Sequence, residues 1–321
     1  MISISTAQVK NTTVHFRTEI NALKNELKTA LNLLLKEQKD ADKISYVEEL
    51  IKVHHNLICA HPRTLKTYAR KFAQIIPADD ISTTEFKPFR DSVIKALGYS
   101  VNRSNFYPQY FQKLGLKSCV YCNSQLTISA QRTISVIDEN PLRGKFQVDH
   151  FLPKNEFPGL SISLYNLYPI CSNCNVIKGT KRISFDLYKD GDLHVSDYFF
   201  KLDANSKLKY LLDRNPDDLR VSFTEPITKK GFIGHNDLFD INGIYQTQYD
   251  IVEELILKAE VYTSQYRKSL QILFPTIFSN PAITKRLLIG NYTSDEDIHK
   301  RPLVKFNIDI CKQLGLLDEK P

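Results

Sequence analysis

The sequence predicts an α+β protein, a mostly α-helical chain with a compact centre that contains short strands. In both flanks apolar residues recur at three- and four-residue steps, as in helices that bury one face. The character changes near residue 118, and residues 125–151 contain Thr, Ile, Val and Phe with partial alternation, which indicates strands. The same central stretch holds two Cys-x-x-Cys pairs, which point to a bound metal ion.

The N-terminal third is expected to be mostly helical. Its clearest amphipathic pattern covers 14–37, and the residues of the apolar face are Phe16, Ile20, Leu23, Leu27, Leu31 and Leu34. Capping and stop signals predict three further helices, which run from Ser45 to before Pro62, over 64–76, and over 84–97 up to Gly98. The start at Ser45 rests on Ser45-x-x-Glu48, which resembles a capping box.

The centre is predicted to contain short strands followed by one helix. The strands are expected over 146–150 and 167–170, and the helix over 175–181. A turn is predicted over 140–144, ahead of the first of these strands, and 155–163 has the character of a loop.

Helical patterns return after about residue 200, most clearly over 249–274 and 302–316. The chain contains no internal repeat and no low-complexity tract. We therefore expect a helical N-terminal region at 1–112, a core with the cysteine pairs at 113–190, and a mostly helical C-terminal region at 191–321.

Composition limits the class of protein. The chain has 321 residues, of which 42% are hydrophobic and 25% charged, as in ordinary globular proteins. A formal net charge of +7 permits a polyanionic partner without requiring one. The sequence shows no apolar run of membrane-spanning length and no basic start followed by an apolar block, so a cytoplasmic location is expected.

The two cysteine pairs are Cys119-Val-Tyr-Cys122 and Cys171-Ser-Asn-Cys174. A Cys-x-x-Cys turn lets both sulfurs face one ion, and two such turns complete the tetrahedral shell that zinc prefers. Such a closed site is structural, so zinc binding is expected to contribute to folding. The 48 residues between the pairs exceed the spacing of a short zinc ribbon and leave room for a functional element. The alternative is that one pair is a buried or redox-active dithiol.

The other two cysteines, Cys59 and Cys311, are predicted to lie in helices. His54, His55 and His61 stand near Cys59 and would suggest a second metal site. The simpler interpretation is a helix with polar histidines and a small buried thiol, because cysteine is among the residues most often buried.

Side chains suited to phosphodiester hydrolysis lie between and beside the cysteine pairs. Asp149 and His150 end a predicted strand, Asn166 follows, and Asn175 comes directly after the last cysteine. Histidine titrates near neutral pH and suits a general base. Carboxylate and carboxamide oxygens are hard ligands that suit magnesium. Taken singly, Asn166 would serve equally well in an Asx turn, and Asn175 as the cap of the helix it opens.

These motifs together resemble the HNH nuclease family, whose core is the ββα-metal finger. The resemblance rests on Val148-Asp149-His150-Phe151-Leu152-Pro153-Lys154, Tyr165-Asn166-Leu167 and Cys171-Ser172-Asn173-Cys174-Asn175-Val176-Ile177-Lys178-Gly179, about a fifth of the chain. The implied fold is a mostly α-helical α+β chain with a central zinc-stabilised finger. Asparagine in the last position makes this an HNN variant, similar in that detail to phage junction-resolving endonucleases.

The resemblance also implies a role for each polar residue. His150 is expected to be the general base, and Asn166 to pin the loop and orient that base. Asp149 and Asn175 are expected to hold magnesium, or manganese in its place. Basic residues around the finger fit a phosphate backbone, although each alone is as readily part of a solvated helix face; they are Lys154, Lys178, Lys181 and Arg182.

The implied activity is metal-dependent hydrolysis of DNA that leaves a 5′-phosphate and a 3′-hydroxyl. The segment Glu156-Phe157-Pro158-Gly159-Leu160 is similar to HNH nucleases of bacterial anti-phage systems, including the Septu type. A separate ATPase often controls the nuclease in such systems, so a role in defence and a regulatory ATPase partner are expected. Two alternatives stay open: a non-catalytic zinc module that binds nucleic acid or protein, and an HNH enzyme that cleaves RNA.

Overall fold

The computed structural model describes residues 1–131, 142–191, 197–278 and 280–317. Helices predominate within these ranges, and the strands pair into two-stranded sheets, so the predicted α+β class is confirmed. Among the described helices, none combines the length and the apolar composition that a membrane crossing requires.

The N-terminal part begins with a short strand and continues as helices. These elements are β1 (Ile4–Ser5), α1 (Thr6–His15), α2 (Arg17–Glu37), α3 (Ala41–Leu57), α4 (Pro62–Ile75), α5 (Ala78–Ile81), α6 (Lys87–Ala96) and α7 (Tyr99–Leu114). The predicted apolar face of α2 packs inward, with Ile20, Leu27, Leu31 and Leu34 buried.

Helix starts differ from the prediction where local capping decides them. The helical pattern over 14–37 is divided at Phe16. The backbone of this residue, with φ of −100° and ψ of 27°, is not helical and separates α1 from α2. The prediction that a capping box starts a helix at Ser45 is wrong, because α3 begins four residues earlier, at Ala41. There the Asp40 carboxylate accepts hydrogen bonds of 3.1 Å from the backbone N–H groups of Asp42 and Lys43.

Helix α7 was not predicted from the sequence. It contains Pro108, a residue that usually ends a helix, and many aromatic residues with low helix propensity. Tertiary packing outweighs both, because Tyr107, Tyr110 and Phe111 are almost fully buried. Gly98 adopts a left-handed φ of 70° between α6 and α7, which turns the chain so that α7 starts at the functional site.

The centre contains the predicted ββα arrangement. Its elements are β2 (Ile128–Gln131), β3 (Leu142–Lys145), β4 (Gln147–His150), β5 (Leu167–Ile170), α8 (Ser172–Lys178) and β6 (Tyr188–Lys189). Strands β4 and β5 are antiparallel, with His150 opposite Leu167. Strand β2 pairs antiparallel with β3, and β6 pairs in parallel with β1, which joins the centre to the N-terminal strand.

The predicted boundaries in the centre are close to the observed ones. The strand over 167–170 matches β5 at both ends, and β4 begins one residue later than predicted. Helix α8 starts three residues earlier than predicted. Of the predicted turn over 140–144, residues 140 and 141 lie outside the described residues, and the rest belongs to β3. The predicted loop over 155–163 includes a 3₁₀ turn at Pro158–Leu160.

The C-terminal part combines one sheet with helices. Its elements are β7 (Phe199–Leu202), α9 (Ala204–Asp213), β8 (Val221–Thr224), α10 (His235–Phe239), α11 (Ile241–Gln246), α12 (Tyr249–Val261), α13 (Ser264–Leu273), α14 (Pro275–Phe278), α15 (Pro281–Ile289) and α16 (Val304–Gln313). Strands β7 and β8 are antiparallel. The predicted helix over 249–274 is divided near Tyr262, and Thr263 caps the second segment, α13.

A continuous hydrophobic core extends through all three predicted regions. Leu31, Cys119 and Phe306, one from each region, belong to the same buried cluster. The cysteine-bearing centre is therefore enclosed by helices from both flanks, and the strands and helix of the finger are positioned by long-range packing.

Candidate metal centre and active site

The four paired cysteines converge on one point. Their sulfur atoms all lie within 4.8 Å of one another, and all four residues are buried. The Sγ atoms of Cys122 and Cys171 are 4.0 Å apart, which is far longer than a disulfide bond. A tetrahedral zinc ion with Zn–S bonds of about 2.3 Å separates its sulfurs by roughly 3.8 Å. The cluster therefore fits a zinc ion, and a separate dithiol is not favoured.

The first cysteine turn is held by residues of the C-terminal part. Asn123 follows the turn in a left-handed conformation with φ of 51°, and its side chain donates to the carbonyl of Ile298. The backbone N–H of Leu303 donates to the carbonyl of Asn123. His235 on α10 and Tyr245 on α11 donate to the backbone carbonyls of Tyr121 and Cys122, at 2.6 and 2.8 Å.

The second cysteine turn starts helix α8. Cys171 is the N-cap of this helix, and its sulfur accepts from the backbone N–H of Cys174 at 3.5 Å. Asn175 therefore lies inside the helix, so the alternative that it caps the helix is wrong. Because a metal ion at the sulfurs would join Cys171 to the first turn, it would fix the start of α8 relative to strands β4 and β5.

The thiols are too close together to ionise independently. Burial raises the pKa of Cys119, and hydrogen bonding from Cys119 lowers the pKa of Cys122. Opposite pKa shifts of this kind are expected where neighbouring thiolates would repel one another, because one thiol then keeps its proton while the other loses it. A dication at the centre would remove that repulsion, which is why this donor set suits zinc.

His150 ends strand β4 and is buried. Its Nε2 lies 2.9 Å from the backbone carbonyl of Ser161. A carbonyl can only accept, so Nε2 carries the proton and Nδ1 keeps its lone pair. The ring also lies against Tyr99, with the centroids 5.0 Å apart. Burial lowers the pKa of His150 to about 3, so the imidazole is neutral at physiological pH.

Asn166 fastens the loop that follows His150. Its side-chain nitrogen donates to the carbonyls of Leu152 and Leu160, both at 3.1 Å, and its oxygen accepts from the N–H of Leu152 at 2.7 Å. The loop between those residues leads to Ser161, whose carbonyl holds His150. The structure thus connects Asn166 to the imidazole through one short loop.

Asp149 precedes His150 in the sequence but contacts different groups. Its Oδ2 accepts a 2.6 Å hydrogen bond from the hydroxyl of Tyr121, and its Oδ1 lies 3.0 Å from the ammonium of Lys178. Burial raises the pKa of Asp149, while the positive charge of Lys178 opposes that shift. The carboxylate therefore has two partners in the structure, a hydroxyl at one oxygen and an ammonium at the other.

Asn175 offers an unused polar group. The residue is half-buried on α8, and its side chain has no hydrogen-bond partner among the described residues. It lines an open cleft of about 350 Å³, together with Asp149 and His150. The three residues that the sequence singled out for metal and base are thus brought to one surface depression.

The predicted basic residues do not share one environment. Lys154 is exposed, lines the cleft, and places its ammonium 4.8 Å from the centre of the Tyr99 ring. Lys178 is only 3% exposed and is paired with Asp149. Lys181 is exposed beyond the end of α8, and Arg182 forms an ion pair with Glu156.

Several residues of the site were missed by the sequence analysis. Tyr99 and Arg103 line the cleft from α7, a helix that was not predicted. Ser161 contributes only its carbonyl, which no side-chain pattern reveals. Tyr121 could have been suspected, because its position between two metal ligands places its side chain close to the finger.

Among the described residues, the cysteines and histidines outside the finger form no comparable site. Within the described ranges, Cys59 is not part of any metal-type cluster, and it is half-buried as expected for a small thiol in a core. His61 instead bonds to Asp190 at 2.9 Å.

Comparison with known proteins gives a family for the central segment. Residues 119–181 match the sequence model of the HNH endonuclease family. Over 62 residues the chain is 36% identical to the Septu protein PtuB of Bacillus thuringiensis, a match that covers 19% of this chain and 19% of that protein. No solved structure matches the chain. The resemblance seen in the sequence is confirmed for this segment: it is an HNH endonuclease domain whose clustered cysteines fit a zinc-containing finger.

Proposed function

We propose that this protein is a metal-dependent endonuclease that hydrolyses phosphodiester bonds of DNA. The observation that carries the proposal is the fixed tautomer of His150. Its Nε2 is committed to the carbonyl of Ser161, which leaves Nδ1 as a proton acceptor in a residue that lines the cleft. The match of residues 119–181 to a nuclease family supports the same reading.

Asp149 and Asn175 are the residues that would hold a catalytic magnesium or manganese ion. Both line the cleft and offer hard oxygen donors, and the carboxamide of Asn175 has no competing partner among the described residues. When bound, the ion would neutralise charge that develops on the phosphate and the leaving oxygen.

His150 would take the proton of the attacking water at Nδ1. A base must be neutral to do this, and the lowered pKa of His150 keeps it neutral at physiological pH. A phosphate anion in the cleft would favour the imidazolium form and so strengthen the base when substrate is present. Asn166 is a positioning residue, because it touches only the loop that carries Ser161.

Cations at the rim of the cleft would hold the nucleic acid. Lys154 and Arg103 both line it, and partial desolvation of the Lys154 ammonium in the cleft, together with the nearby charge of Arg103, lowers the pKa of Lys154. Such crowding of like charges favours an anionic ligand. Lys181 and Arg182 lie on the adjoining surface and would extend the contact to neighbouring phosphates.

A defence role and a partner are part of the proposal. Over 62 residues the chain is similar to a Septu protein, and the resemblance of residues 156–160 to anti-phage HNH nucleases supports the same role. We therefore propose that the chain acts in anti-phage defence with a regulatory ATPase as its partner.

The direct test is cleavage of supercoiled plasmid DNA by the wild type and His150→Ala in magnesium. We expect the substitution to slow cutting by at least about 10²-fold, because general-base catalysis contributes that much or more. A chelator should stop the wild type, and zinc content and melting temperature of the variant should match the wild type.

Equal cutting by the two proteins would refute the role of His150. Absence of cutting by the wild type, with zinc bound, would favour the non-catalytic zinc module. Single- and double-stranded RNA of the same sequence should be tested in parallel, and faster cleavage of RNA would replace DNA as the substrate.

A further inference from the structure

Lys178 is placed unusually for a lysine beside a proposed metal site. Its side chain is 3% exposed and its ammonium lies 3.0 Å from Oδ1 of Asp149. Lysine is almost never fully buried unless it is paired with an acid. Lys178 follows Asn175 by three residues on α8, so both side chains lie on the face of the helix that is turned toward Asp149.

The Lys178 ammonium therefore contacts the same Asp149 carboxylate that the proposed function assigns as a ligand of the divalent cation. We propose that Lys178 is a built-in counter-ion, which neutralises Asp149 when no divalent cation is bound and competes with that cation for the carboxylate. The inference rests on the proposed function in one respect only, the assignment of Asp149 as a metal ligand.

The competition follows from charge and space. A buried carboxylate without a cation is costly, which explains why a lysine is kept there. A dication at Asp149 and an ammonium 3.0 Å from the same oxygen repel each other, so the ammonium must withdraw when the metal binds.

The structure offers a place for the withdrawn side chain. Lys178 lines the catalytic cleft and also a second pocket of about 270 Å³ on the other side of Pro153. Asp186 lines that second pocket, is partly exposed, and already pairs with Lys66 at 3.7 Å. A rotation of the flexible lysine stem would thus move the ammonium away from Asp149 into a second depression, where it would share Asp186 with Lys66.

The experiment is a Mn²⁺ titration of the full-length, zinc-loaded protein without nucleic acid, followed by calorimetry and by the spin-resonance signal of free Mn²⁺. Lys178→Met should bind Mn²⁺ at least about tenfold more tightly than the wild type, because the competing charge is gone. Without added divalent cation, the variant should melt at a lower temperature than the wild type, and Mn²⁺ should restore much of the difference.

Lys305→Met is the matched control. Lys305 is another buried lysine, 4% exposed and 2.5 Å from Asp309, four residues further along α16. This substitution should also lower the melting temperature, but Mn²⁺ should neither bind more tightly nor restore stability.

A second measurement uses the wild type and does not depend on how Lys178→Met folds. Acetylation of lysines, mapped by mass spectrometry, should be slow at Lys178 in the zinc-loaded protein without added divalent cation and at least several-fold faster with saturating Mn²⁺. An unchanged acetylation rate, or Mn²⁺ binding by Lys178→Met that is no tighter than in the wild type, would overturn the inference and leave a purely structural ion pair. Because no measurement involves cutting, a protein that fails to cleave nucleic acid would refute the proposed function without deciding this result.

Discussion

Adjacent residues in the proposed active site are placed in opposite electrostatic situations. Burial keeps His150 neutral, and a carbonyl acceptor fixes its tautomer, whereas Asp149 is held beside a cation. Both residues come from the end of one strand, where neighbours point to opposite sides. Asp149 therefore faces Tyr121 and α8, and His150 faces Tyr99 and the loop at Ser161. The proposed division between metal ligand and base follows from that alternation.

Asn166→Ala should damage both stability and catalysis. It removes three hydrogen bonds that fasten the loop after His150, which should cost about 3 kcal/mol in the free energy of unfolding. Displacement of the base should lower kcat by roughly 10²-fold, with a smaller change in KM. Denaturant unfolding and steady-state kinetics measure the two effects.

Asn166→Asp is the informative companion variant. It keeps an acceptor for the N–H of Leu152 but places a carboxylate oxygen against the carbonyls of Leu152 and Leu160, so its kcat should fall at least as far as that of Asn166→Ala. Full activity in Asn166→Ala would contradict the positioning role.

The elements of the finger are short and depend on the cysteine cluster. Strands β4 and β5 have four residues each and α8 has seven, lengths that are marginal in isolation. The four sulfurs join the turn before β2 to the start of α8. A metal ion there supplies the connection that so short a helix and hairpin cannot provide alone.

Cys171→Ser should lower zinc content and stability together. A hydroxyl is a poor zinc ligand, so elemental analysis should show loss of most of the zinc, and the melting temperature should fall by several degrees or more. Cys59→Ser is the matched control, since Cys59 lies outside the cluster, and it should retain one zinc per chain. Full zinc content in Cys171→Ser would contradict the assignment of this cysteine as a ligand.

At the scale of the whole molecule, the two ends of the chain close around the centre. His299 donates from Nε2 to the carbonyl of Ile2 at 2.8 Å, and its own carbonyl accepts from the N–H groups of Lys117 and Ser118. The imidazole is buried and its Nδ1 has no partner among the described residues. Burial lowers the pKa of His299 to about 4.

Stability should therefore fall in mild acid. The folded state keeps His299 neutral, whereas the unfolded chain binds a proton below a pKa of about 6.5. The contribution of neutral His299 to the free energy of unfolding is complete above pH 6.5 and is lost as the pH falls toward 4. Between pH 7.5 and pH 5.5, proton uptake by this histidine in the unfolded chain should lower the free energy of unfolding by about 1 kcal/mol.

Comparison with His299→Gln isolates that contribution. Urea unfolding at the two pH values should show that acid lowers the free energy of unfolding less in the variant, by about 1 kcal/mol, whatever its stability at neutral pH. Equal losses in the two proteins would show that His299 does not sense the pH change.

The sequence by itself determined the chemistry of the finger. Spacing located the four cysteines that cluster, the residue pattern located strand β5 at both ends, and the family resemblance singled out Asp149, His150 and Asn175, which line one cleft. These features could be predicted because ligand spacing and strand patterns depend on residues that lie close together in the sequence. The helical flanks were predicted for the same reason.

Only the tertiary structure decided what surrounds those residues. Contacts made across long stretches of sequence brought Tyr99 to His150, Tyr245 to Cys122, and Lys178 to Asp149. Lys178 shows the difference best, because its sequence position suggested an exposed phosphate contact. Packing of α8 against β4 instead buries its charge, and an acid must then lie beside it because an unpaired charge in the interior is too costly.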